Sequence, residues 1–135
     1  MKILVAYAGG TDLDKTIMAL AKKHAQIFNA KLFVAFSMES ASTKDINALD
    51  KIKSNLEYLK DAIEKEGISC ETHLLIRGIT PGEDIVEFAN DQKIDEIFIG
   101  IEQKSKVGKL IFGSTAQYII LEAPCPVVSV NKNFV

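Results

Sequence analysis

Two short, continuous apolar runs near the start of the chain limit the fold more than any other feature. Lys2–Tyr7 (KILVAY) is closed by Gly9-Gly10, and Lys31–Ser37 (KLFVAFS) follows after about two dozen residues. Neither run alternates with polar positions, so each reads as a strand buried on both faces, the pattern of a parallel sheet covered by helices on either side. The segment between them, DKTIMALAKKHAQIF, places Ile17, Leu20, Ala21, His24 and Ile27–Phe28 at helical spacing, with Thr11 or Asp12 as N-cap and Asn29 as a stop.

The alternation continues to the end. INALDKIKSNLEYLKDAIEKEG is a long amphipathic helix with Leu49, Ile52, Leu56, Leu59 and Ile63 on one stripe and Gly67 as its cap. ISCETHLLIRG begins with Ile68, Cys70 and Thr72 on one side and Ser69, Glu71 and His73 on the other, as in a half-exposed edge strand. A helix then opens with Thr80 as N-cap, Pro81 at its first position and Glu83 at capping-box spacing. Ile94–Gly100 is a fourth strand, STAQYIILEA a last helix and Pro126–Val130 a fifth strand. Five strands alternating with four helices imply one doubly wound α/β domain over residues 1–135, with helices on both faces of a parallel sheet and right-handed crossovers.

Ligands of such folds sit beyond the carboxyl ends of the strands, where the winding reverses. Tyr7–Thr11 and the stretch from Gly100 onward occupy those ends. The second of them, GIEQKSKVGKLIFGS, is not a P-loop: the G-x-x-x-x-G-K-[ST] spacing ending at Gly108-Lys109 needs glycine at 103 and a hydroxyl at 110, where Gln103 and Leu110 stand. The G-x-G-x-x-G fingerprint of a dinucleotide fold is also absent. Gly113-Ser114-Thr115 is chemically suggestive, since N–H groups and hydroxyls at a helix start bind phosphate with help from the helix dipole, aided by Lys104, Lys106 and Lys109. The plainer reading is N-capping by Ser114.

Other chemistry finds little footing. His24 and His73 share no metal-ligand spacing, no G-x-S-x-G elbow frames a serine, and Asp12 and Asp14 are the only paired carboxylates at a predicted strand end. Neither catalytic nor metal-binding residues are expected. Cys70 and Cys125 each lie in an apolar run and read as buried thiols. A formal charge of −2 gives no general attraction to nucleic acid or anionic lipid, and no apolar run approaches the ~20 residues of a membrane span, so a cytoplasmic protein is expected.

Over nearly its whole length the chain resembles the universal stress proteins: KILVAYAGG followed by a helix, then GITPGEDIVEFANDQKIDEIFIG, then FGSTAQYIILEAPCPVVSV, in that order. Ala123-Pro124-Cys125-Pro126 leading into an apolar final strand is a strong signature in this setting. The resemblance implies a five-stranded parallel sheet in the order 3-2-1-4-5 and a homodimer, here through Pro126–Val130. Nucleotide-binding members carry G-x2-G-x9-G-[ST] after the fourth strand and an aspartate at the end of the first. Gly100, Gly113 and Ser114 match, whereas Gln103 replaces the second glycine and Ala8 the aspartate. The resemblance thus implies a degenerate ATP or AMP pocket built from Tyr7, Ala8, Gly9, Ser37, Gly100, Gln103, Gly113, Ser114 and Thr115. The alternative is a nucleotide-independent interaction protein acting through its dimer surface or through another small anion. ATP hydrolysis has the least support, because no general base or metal-binding carboxylate is evident in the phosphate loop.

Overall fold

The computed structural model describes residues 1–102 and 113–134, together with the backbone of two short strands between them. The elements run β1 (Lys2–Ala6), α1 (Asp12–Phe28), β2 (Lys31–Ser37), a 3-10 turn (Thr43–Asp45), α2 (Ile46–Lys65), β3 (Cys70–Leu75), α3 (Pro81–Asp91), β4 (Glu96–Ile101), β5 (Lys104–Lys106), β6 (Lys109–Ile111), α4 (Ser114–Glu122) and β7 (Val127–Asn131). The main sheet has the order β3-β2-β1-β4-β7, with every pairing parallel. This is the expected 3-2-1-4-5 sheet, β7 being its fifth strand.

The continuous apolar runs are explained by two cores. Ile3, Val5, Leu32 and Val34 point to one face, where α1 and α2 bury Ile17, Ala21, Leu56 and Ile63. Leu4, Phe33 and Ala35 point to the other, against Ile85, Phe88 and Ala89 of α3 and Ile119 of α4. Successive residues of β1 and β2 therefore serve different cores, which is why no polar position interrupts them. Leu56 and Ile63 bring the α2 stripe into the first core, and Ile52 and Leu59 pack at its margin.

Several boundaries differ from expectation. β4 begins at Glu96, two residues later than the apolar run suggested, and β7 is displaced by one residue to Val127–Asn131. Ile27 and Phe28 are 67% and 54% exposed, so the buried stripe stops short of the last turn of α1, which Asn29 ends in the left-handed conformation at φ 52°. β3 is the half-exposed edge strand expected, although its alternation does not separate a dry face from a wet one: Cys70 is buried, whereas Thr72 and His73 are both half-buried, His73 stacked on Phe33 and tilted against Phe88. Gly67 at φ 82° lies one residue beyond the α2 cap, Glu66.

The stretch after β4 holds an antiparallel ribbon, β5 with β6, where only a loop was expected. Gln103 and the side chains of Lys104, Lys106 and Lys109 lie outside the described residues. Among the described residues, no helix is long and apolar enough to cross a membrane. One glycine fixes the wall of the region considered next: a Cβ on Gly82 would come within 3.0 Å of the Tyr118 Cβ, so its absence lets α3 and α4 pack closely.

Candidate functional site

A cleft of about 520 Å³ opens beyond the carboxyl ends of β1, β2 and β4. Its walls bring together six of the expected residues: Tyr7, Ala8, Ser37, Gly100, Gly113 and Thr115. Gly9 and Ser114 belong to the same loops but do not line it, and Gln103 is outside the described residues. Apolar residues from both sides of the sheet, among them Ile17, Ile85, Ile99 and Ile119, close its floor.

The loop after β1 is organised by a residue that the sequence reading did not place in the site. Asp14, the third residue of α1, turns its carboxylate back into the loop and accepts the N–H groups of Ala8 (3.0 Å), Gly10 (2.8 Å) and Thr11 (3.0 Å). Thr11 returns the favour as N-cap, its hydroxyl accepting the Asp14 N–H at 3.1 Å. The Asp14 residue is buried, and among the described residues it has no ion-pair partner, so backbone N–H groups and the helix end stabilise its charge. Gly9 and Gly10, both at φ 102°, supply the left-handed turn that points those N–H groups inward. The reciprocal spacing Thr11-x-x-Asp14 is the signal that could have identified this arrangement.

Tyr7 bounds the same region. Burial, followed by the nearby Asp14 charge, pushes its phenol above the ordinary value, while a hydrogen bond with the Asn55 side chain acts the other way.

The start of α4 is built differently. Its N-cap is Gly113 and not Ser114: Gly113 is extended, at φ −61° and ψ 146°, and its carbonyl accepts the Gln117 N–H at 3.1 Å, which makes Ser114 the first helical residue. Ser114 is therefore no cap. Glycine offers no capping oxygen, and among the described residues no side chain replaces one. The fold does not require glycine here either, since any residue adopts this φ and no described atom lies within 4 Å of where a Cβ would be.

Gly100 has the opposite explanation. A Cβ there would lie 2.7 Å from Leu13 Cδ2 and 2.8 Å from Ile17 Cδ1, so this glycine lets the first turns of α1 settle over β4. Packing, before any ligand, accounts for it.

At the far end of the cleft, Ser37 donates its hydroxyl hydrogen to Asp84 Oδ2 at 2.8 Å. Asp84 is fully buried and pairs with Arg77, whose Nη2 also reaches the Asp84 carbonyl oxygen at 3.3 Å. Neither Arg77 nor Asp84 was expected at the site. A carboxylate four residues before Phe88, on the buried stripe of α3, is the pattern that marks it. The two histidines lie away from the cleft in structural pairs, His24 with Glu96 at 3.2 Å and His73 with Glu71 at 3.0 Å. Cys70 is buried, which pushes its thiol up to about 11, and Cys125 is half-buried and likewise raised, first by burial.

Comparison with known proteins agrees with this fold. The sequence model of the universal stress protein family matches residues 1–131. A universal stress protein of Thermus aquaticus is 32% identical, over 96% of this chain and 97% of its own. Among solved structures, a universal stress protein of Archaeoglobus fulgidus superposes with a TM-score of 0.84 at 35% identity, covering 96% of this chain and 97% of its own. A second structure from that organism, in complex with dAMP, gives 0.76 at 30% identity, with 96% of each chain covered. The chain belongs to the universal stress protein family.

Proposed function

We propose that the protein is a cytoplasmic, homodimeric stress-response module whose cleft binds an adenine nucleotide, AMP or ATP, with its phosphate at the start of α4. The observation that carries this reading is the pairing of an apolar cleft with an uncapped helix N-terminus. Gly113 leaves the first N–H groups of α4 without a side-chain partner among the described residues, and Thr115 adds a hydroxyl at the cleft wall. The similarity to the dAMP-bound protein of Archaeoglobus fulgidus supports a nucleotide as occupant.

Gly100 and Ala8 enter this reading in altered roles. Gly100 gives α1 room, and the Ala8 N–H is already taken by Asp14, so the acidic group at the end of β1 is supplied from within α1.

The direct experiment is the melting temperature with added AMP, ATP or inorganic phosphate, because a ligand that binds only the folded state stabilises it by RT ln(1 + [L]/Kd). A rise with AMP at millimolar concentration is expected. No rise with any of the three leaves the nucleotide-independent interaction protein as the better reading. For the dimer, β7 is a sheet edge, and an uncovered apolar edge invites a second chain. On β7 Val128 packs against the first core, whereas Ser129 is exposed and serves as the probe. Sedimentation should show a dimer that Ser129→Lys weakens; a wild-type monomer at high concentration refutes the assembly.

A further inference from the structure

A hydroxyl can donate one hydrogen and accept through its lone pairs, whereas a carboxylate only accepts. In the bond between Ser37 Oγ and Asp84 Oδ2, the hydrogen therefore belongs to Ser37 and is committed to Asp84. The other oxygen of Asp84 is held by Arg77, so the carboxylate is engaged on both sides within a fully buried residue. What Ser37 has left at the cleft wall is acceptor capacity alone. Ala6, Ala35, Pro81 and Ile85, which line the same cleft, offer apolar surface and no side-chain donor of their own.

We propose that Ser37 is the base-reading residue of this cleft: its Oγ accepts from an exocyclic amino group of a planar base and disfavours a base with a carbonyl at that position. Arg77 and Asp84 are positioning residues that hold the serine in this polarity. A carbonyl placed against Ser37 meets lone pairs, and the hydrogen that could answer it is spent on Asp84, so a hydrogen bond is lost and a polar group is left unpaired in a part-buried site. The inference rests on the nucleotide reading above and extends it from the phosphate end to the base end.

The test is titration calorimetry with AMP and IMP, which differ by an amino group against a carbonyl at ring position 6 and by an acceptor against an N–H at the adjacent N1. Wild type should bind AMP about tenfold more tightly than IMP, the size of one hydrogen bond. Ser37→Ala should bring the two affinities together, chiefly by weakening AMP. Asp84→Asn gives Ser37 an amide donor in place of the acceptor and frees its hydrogen for the cleft, so the preference should shrink or invert. Should that buried change prevent folding, Ser37→Ala alone decides the matter. Equal affinities in wild type, or a preference that survives in Ser37→Ala, overturn the proposal while leaving nucleotide binding intact. Binding of neither nucleotide overturns both.

Discussion

Two helices, α1 and α4, begin at the same cleft, and the chain treats their N-termini in opposite ways. The α1 end is filled from within: Thr11 caps it, and the Asp14 carboxylate gathers three N–H groups of the preceding loop. The α4 end has a glycine cap with no side-chain oxygen. A loop of inward N–H groups is an anion site by construction, and Asp14 already occupies the one after β1. The comparison teaches that glycines near a strand end do not by themselves mark a phosphate seat. What matters is whether the chain supplies its own anion.

The largest expected effect comes from emptying the filled end. Asp14→Ala leaves the N–H groups of Ala8, Gly10 and Thr11 without their acceptor in a buried loop, and should cost about 3 kcal/mol in urea unfolding. A loss under about 1 kcal/mol would mean that the loop holds its shape without the carboxylate.

Next in size is crowding of that same end. Ala8→Asp restores the aspartate of nucleotide-binding relatives, yet it brings a second carboxylate beside one whose oxygens lie 3.0 and 3.2 Å from the Ala8 nitrogen. Like-charge repulsion should destabilise the fold by about 1 kcal/mol and leave AMP affinity no tighter. Tighter binding would show that Asp14 does not stand in for the missing group.

Smaller changes in stability probe the open end. Gly113→Val should cost no more than about 1 kcal/mol, because valine is a poorer N-cap than glycine even though the backbone is ordinary and the space is free, while lowering AMP affinity at least tenfold by blocking approach. Smallest of all is Ser114→Ala: at the first helical position and exposed, Ser114 should change stability by less than about 0.5 kcal/mol. A loss near 1 kcal/mol would restore it as a cap.

The same contrast shows what was legible in the sequence. Strands buried on both faces announce themselves as continuous apolar runs, so KILVAY and KLFVAFS defined the centre of the sheet, and Thr11, Thr80 and Pro81 marked helix starts through local capping rules. The order of strands and the pocket residues came from likeness to a family, since periodicity does not say which strand lies beside which. Asp84 escaped notice because Ser37, its partner, is 47 positions away and only the fold joins them. Gly100 enters the pocket by its match to the family motif, whereas its packing against Leu13 and Ile17 of a different element is visible only in the fold. The shift of the α4 cap from Ser114 to Gly113 is a matter of one residue, a resolution that propensity does not reach.

The central claim is that α4 and not α1 seats the phosphate, and Gly113→Asp tests it by making the open end resemble the filled one. Aspartate at an N-cap with this backbone accepts the first N–H groups of the helix and should stabilise the fold by a few tenths of a kcal/mol, while its charge occupies the phosphate position. The measurement is the ratio of AMP to adenosine affinity by titration calorimetry, in wild type and in Gly113→Asp. Wild type should favour AMP by about tenfold or more, as a phosphate held by charge-assisted N–H bonds requires, and the variant should show no preference. A preference for AMP that persists undiminished in Gly113→Asp would place the phosphate elsewhere and contradict the account.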